Sequence, residues 1–145
     1  MLGIVASLAL ADKQPVAPGV IDAQRRTLRF VSAGGPPVLA VRPDGDISQL
    51  TSSGLPLGLM EDASYDEVDA QFAPGDRLLL FSDGAIEIHD ADQAMLGIDG
   101  LVRILKESGY PSNDINAVAV EERLLKFSNA IRLDDDLTFL EVRFH

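Results

Sequence analysis

Short apolar runs separated by turn-forming residues dominate the first half of the chain, and helical periodicity takes over only after position 96. Met1 to Ala11 is apolar and predicts a core strand or a short helix. Gly19–Asp22 and Thr27–Val31 flank the polar tetrad Ala23-Gln24-Arg25-Arg26, a pattern that predicts a β-hairpin. Pro37 to Val41 is a short apolar run that leads into Pro43-Asp44-Gly45-Asp46. Asp-Gly there offers the positive φ of a tight turn, and Ile47–Leu50 is the expected return strand. Tyr65 to Phe72 alternates in part, and Pro74-Gly75-Asp76 turns the chain into the continuous run Arg77-Leu78-Leu79-Leu80-Phe81. An uninterrupted apolar run of this length predicts a central strand covered on both faces.

Helical spacing follows. Asp99 is placed to cap a helix with Leu101, Ile104 and Leu105 on one face and Gly109 just past its end. A second helix is expected from about Asn113 to Ser128, with Ala117, Val120, Leu124 and Phe127 on one stripe. Leu137 to Phe144 reads as a last strand. Strands, then helices, then one more strand predict an α+β fold and exclude a doubly wound parallel sheet.

Composition narrows the function classes. The chain has 145 residues, 46% of them hydrophobic and 24% charged, which fits one domain with a core of its own. Its formal net charge of −11 repels nucleic-acid phosphate and anionic lipid, so neither a nucleic acid nor a membrane is an expected partner. No run reaches the ~18 apolar residues that a membrane-crossing helix needs. Ala9-Leu10-Ala11 resembles a cleavage site but lacks the basic lead-in of a signal peptide. The absence of cysteine excludes disulfides, thiolate metal sites and cysteine nucleophiles. It fits a reducing compartment, and the expected location is cytoplasmic.

Two acidic points stand out. Asp83 closes the apolar strand, and Gly84 after it lets the backbone turn or approach a ligand. Asp134-Asp135-Asp136 precedes the last strand, and three adjacent carboxylates repel one another unless they are solvated or hold a cation. If those strands are neighbours, their acidic ends meet at one edge, where carboxylate oxygens suit Mg²⁺ or Mn²⁺. Taken singly, an Asp-Gly pair after a strand is more often a turn, and an aspartate run more often a solvated loop. His89 and the arginine pair Arg25-Arg26 read as surface residues. The run Leu55 to Met60 reads as a cover for a sheet edge or as a docking surface for a protein.

Several segments resemble one family in the same order and spacing from about Gly19 to Phe144. Ser32-Ala33-Gly34-Gly35-Pro36-Pro37 is similar to the Asn-Ala-Gly-His-Pro-Pro segment of bacterial phosphatases of the stage II sporulation protein E and RsbU type, relatives of protein phosphatase 2C. Gly54-Leu55-Pro56-Leu57-Gly58 resembles that family's Gly-Leu-Pro-Leu-Gly loop. Pro74-Gly75-Asp76 with Leu78 to Gly84 and Glu87 resembles its strand ending in Thr-Asp-Gly-x-x-Glu. Leu96-Gly97 ahead of Leu101 resembles a helix start, and Asp135-Asp136-Leu137-Thr138 resembles its Asp-Asp-x-Thr motif.

The resemblance implies an antiparallel β-sandwich flanked by helices. It implies hydrolysis of phosphoserine or phosphothreonine on a regulatory protein of the anti-anti-sigma type, by a water that a two-ion Mn²⁺ or Mg²⁺ centre activates. Asp83 and Asp135 match metal ligands, Asp136 is the second register, and Gly84 belongs to the same motif. A homodimer is compatible with this reading. The family also uses an aspartate from an earlier Asp-x-x-Gly-His-Gly segment to bridge the two ions. No such segment occurs in these 145 residues. The expectation is a domain whose N-terminal part is missing, an inactive variant, or a chain that another chain completes. The alternative is a non-catalytic interaction module on the same fold.

Overall fold

The computed structural model describes residues 3–6, 19–32, 34–52 and 64–145. Its elements are β1 (Gly3–Ala6), β2 (Gly19–Asp22), β3 (Thr27–Val31), β4 (Val38–Val41), β5 (Ile47–Leu50), β6 (Glu67–Gln71), β7 (Arg77–Phe81), a 3₁₀ turn (Asp83–Ala85), α1 (Gly97–Glu107), α2 (Ala117–Ser128) and β8 (Phe139–Arg143). The strands form two four-stranded antiparallel sheets, ordered β1-β2-β3-β6 and β5-β4-β7-β8. The predicted α+β sandwich is therefore present, and α1 and α2 cover the outer face of the second sheet.

Period-two alternation explains this layering. On β7, Leu79 and Phe81 face the helices and join Leu39, Val41, Leu101, Ile104, Leu105, Val120 and Leu124. Leu78 points the other way, into the space between the sheets, with Ile21, Leu28, Phe30, Val38, Ala40, Phe72 and Phe144. Both Leu78 and Leu79 are fully buried, because β7 is an interior strand with apolar matter on each side. The Phe72 and Phe144 rings stack at 4.4 Å where the two sheets meet at one corner. The outer face of the first sheet is polar instead, with exposed Arg29 bridging across the strands to Asp69 and Glu67.

The hairpin β2–β3 and the β4–β5 turn form as expected, with Gly45 at φ +92°. The apolar N-terminal run does hold a strand, β1, paired with β2. The helix starts differ from expectation. Helix α1 begins at Gly97, so Asp99 lies inside its first turn and makes no cap. A carboxylate at that position still favours the positive end of the helix dipole. Helix α2 begins at Ala117, four residues later than expected, because the Asn116 side chain accepts a hydrogen bond from the Ala119 amide (3.1 Å) and takes the cap. Ala117 is exposed and does not share the buried stripe of Val120 and Leu124. The last strand is shorter than its apolar pattern, Phe139–Arg143. The Gly54–Gly58 loop and the surface suggested for Leu55 to Met60 lie outside the described residues.

Candidate metal centre

Strand β7 pairs with β8 in antiparallel register, with Phe81 opposite Phe139 and Arg77 opposite Arg143. Antiparallel pairing puts the end of one strand beside the start of its neighbour, so the turn after Phe81 and the aspartates before Phe139 fall at the same sheet edge. This is the juxtaposition that the two acidic points require.

Ser82 ties the two segments together. Its backbone amide donates to the Thr138 carbonyl (3.1 Å), and its hydroxyl accepts from the Thr138 amide (3.0 Å) while donating to the Asp136 carbonyl (2.8 Å). The residue is buried. The next position but one is the closest approach. A Cβ added to Gly84 would lie 2.7 Å from the Asp136 carbonyl oxygen and 3.3 Å from the Asp135 Cβ. Glycine is needed there for room, since any side chain would push the acidic loop off the end of β7.

Each aspartate is also held locally. Asp83 is half-buried and its Oδ1 accepts from the Gly84 amide (3.0 Å). The Asp135 carboxylate accepts from the Asp136 amide (2.8 Å). Asp134, Asp135 and Asp136 are all exposed. Asp134 and Asp135, with Gly84, line a polar cleft of about 740 Å³ that also has Glu87, His89 and Arg132 on its walls. Asp136 contributes its carbonyl to Ser82, and neither Asp136 nor Asp83 is part of the cleft lining.

The donors suit a hard divalent cation in kind, since carboxylate oxygens are what Mg²⁺ and Mn²⁺ take. They fall short in number. Among the described residues, no group of three or more His, Asp or Glu side chains converges closely enough to hold a metal ion. The geometry thus brings Asp83 and the Asp134–Asp136 run together at one sheet edge.

Sequence reasoning identified Asp83, Gly84 and the aspartate run, and missed Ser82 as the clasp between them. The available signal was a small hydroxyl residue directly after five strand residues, at a position where a backbone-to-side-chain bond is common. It also left Arg132 unremarked, because an arginine beside three aspartates reads as a surface ion pair. No such pair forms among the described residues.

Known proteins resemble this chain in sequence and fold. The phosphoserine phosphatase RsbU of Bacillus subtilis is 29% identical over 115 residues, which cover 79% of this chain and 34% of that protein. Stage II sporulation protein E of the same organism is 26% identical over 132 residues, covering 86% of this chain and 14% of that protein. The chain therefore spans well under half the length of these relatives. The solved structure of the PP2C phosphatase domain of B. subtilis SpoIIE, with a fragment of its regulatory domain, superposes with a TM-score of 0.70 at 25% identity, over 89% of this chain and 37% of that one. The fold is accordingly that of protein phosphatase 2C. The profile of stage II sporulation protein E (SpoIIE) matches residues 15–145, and the chain belongs to that family.

Proposed function

We propose that this chain carries part of the catalytic centre of a metal-dependent phosphoprotein phosphatase, with Asp83 and Asp135 as cation ligands. The substrate is a phosphoserine or phosphothreonine on a regulatory protein, as the resemblance to the RsbU type implies. The observation that carries the reading is the close approach at Gly84, which joins the two acidic segments at one sheet edge. The role of each residue follows. Asp83 and Asp135 hold the cation, Gly84 makes room for the acidic loop, and Ser82 keeps that loop in register. Asp135 is preferred over Asp136 because its side chain approaches Gly84, next to Asp83, whereas Asp136 approaches through its backbone carbonyl. A divalent cation held there, Mn²⁺ or Mg²⁺, supplies the positive charge that makes water more acidic and steadies a phosphoryl group. Without cysteine, no thiol nucleophile is available.

A second reading has its own observation. The described residues provide too few ligands for a complete centre, which favours a non-catalytic interaction module on the same fold. Two measurements separate the readings. The first is Mn²⁺-dependent turnover of p-nitrophenyl phosphate by the 145-residue chain, with Asp83→Ala beside it. Turnover lost in that variant supports the phosphatase and rules out the module. The second is Mn²⁺ calorimetry on the wild type, Asp83→Ala and Asp135→Ala. Two carboxylates make a weak site, so affinity on the order of millimolar is expected for the wild type, with little or none in the variants. Equal binding by all three proteins would refute the ligand assignment.

A further inference from the structure

We propose that Arg132 anchors the phosphate monoester of the substrate in the cleft beside the Asp83–Asp135 edge. The inference rests on the phosphatase reading and adds a binding residue that the metal-ligand motifs do not contain.

The cleft that Gly84 and Asp135 open onto is lined by four carboxylates, those of Glu87, Asp90, Asp134 and Asp135. Such walls repel a phosphate dianion, and a cation on Asp135 offsets only part of that charge. Arg132 is the one permanently cationic side chain among the described lining residues. It is exposed, and it forms no ion pair among the described residues although Asp134 is two positions away.

Six other arginines are engaged, whereas Arg26 and Arg103, which do not line this cleft, form no ion pair among the described residues either. Arg25 pairs with Asp22, Arg29 with Asp69, Arg42 with Asp76, Arg77 with Glu141 and Arg143 with Asp114. Arg123 donates to the carbonyls of Ala119 and Glu107. What distinguishes Arg132 is its place: an unpaired guanidinium lines the acidic cleft, on the same loop as Asp135. The loop starts at Asn129, whose left-handed conformation (φ +54°) ends α2 and turns the chain toward the cleft. A guanidinium presents paired N–H groups that match phosphate oxygens, with a geometry lysine lacks.

The test is a titration of the 145-residue chain with inorganic phosphate in excess Mg²⁺, followed by NMR on backbone amides and arginine Nε–H groups. Wild type is expected to bind, with the Arg132 Nε–H and the amides around Gly84 and Asp135 shifting together. Arg132→Ala is expected to weaken binding about tenfold, the loss of a charge-assisted pair. Arg132→Lys should fall between the two. Arg103→Ala, which removes an exposed arginine on α1, should match wild type. Arg132 is exposed, so its variants are expected to fold. The proposal is overturned if Arg132→Ala binds as Arg103→Ala does, if the shifts lie away from the cleft, or if wild type does not bind phosphate at all. Metal calorimetry reads the phosphatase assignment separately. Cation binding that depends on Asp83, together with phosphate binding indifferent to Arg132, would sink this inference and leave that assignment standing.

Discussion

Ser82 shows how a single buried hydroxyl sets the geometry of a site it does not itself line. Its oxygen satisfies a donor and an acceptor of the opposite segment, the Thr138 amide and the Asp136 carbonyl. Ser82→Ala leaves both part-buried backbone groups without that partner, and the expected cost is about 1 kcal/mol in urea unfolding. Mn²⁺ binding should weaken in the same variant, since the acidic loop loses its clasp. Gly84→Ala tests the neighbouring contact. The new methyl meets a backbone carbonyl at 2.7 Å, and backbone cannot swing aside as a flexible side chain can. Overpacking of this kind costs roughly 1–3 kcal/mol, and the variant should lose cation affinity even where it still folds. A Gly84→Ala protein with wild-type stability and wild-type Mn²⁺ affinity would show that the close approach is not what joins the two acidic segments. Of these features, the aspartates and the glycine were legible in the sequence, because carboxylates beside glycine after an apolar strand are a local pattern. The serine's partners are 54 and 56 residues away, so no local pattern announces them.

At the scale of elements, strands were easier to read than helix ends. The β7 run is apolar at every core position because it is buried from both sides, and that alone distinguishes it from the alternating β6. Helix ends depend on which polar side chain wins the cap. For α2 the expected start was near Asn113, and Asn116 takes the cap instead. Asn116→Ala should therefore destabilise the protein by about 1 kcal/mol, measured as a lower urea midpoint with unchanged slope. Asn113→Ala should have little effect if the cap is assigned correctly. For α1, Asp99 had the right residue type for a cap, but Gly97 at φ +65° brings the chain out of the Ile88–Leu96 hairpin and into the helix two residues earlier. The pairing of that hairpin, His89 opposite Met95, was not visible as alternation because its turn is held by the Asp90 carboxylate accepting from the Asp92 and Ala94 amides.

For the molecule as a whole, the layer between the second sheet and the helices contains a polar group whose protonation is linked to folding. Tyr110 is buried there, with the Arg77 guanidinium over its ring at 5.5 Å. Burial, and then the charge of Glu141, push its phenol well above the ordinary value of 10.0, with Arg77 opposing. The unfolded chain releases this proton near pH 10 and the native protein retains it, so the native state binds more protons in that window. Stability is thus expected to be unaffected by Tyr110 below pH 10 and to fall as pH rises beyond it. Chemical denaturation between pH 9 and 11 should show that decline in wild type, and a shallower one in Tyr110→Phe. An identical slope in the two proteins would remove Tyr110 from the linkage. Tyr110 packs at the Arg77 end of β7, opposite the Phe81 end that leads into the site.

The sequence by itself determined the α+β class, the central position of β7, the hairpins and the identity of the acidic residues. Each of these follows from local composition, from the two-residue and 3.6-residue periods, and from turn chemistry acting over a few neighbours. Only the tertiary structure decided that β7 and β8 are adjacent and antiparallel, that Ser82 and Gly84 fasten Asp135 and Asp136 to the end of β7, and that Arg132 stands unpaired on the same cleft. These are consequences of strand pairing between segments more than fifty residues apart. Their energies depend on which backbone groups and charges meet after the chain has folded.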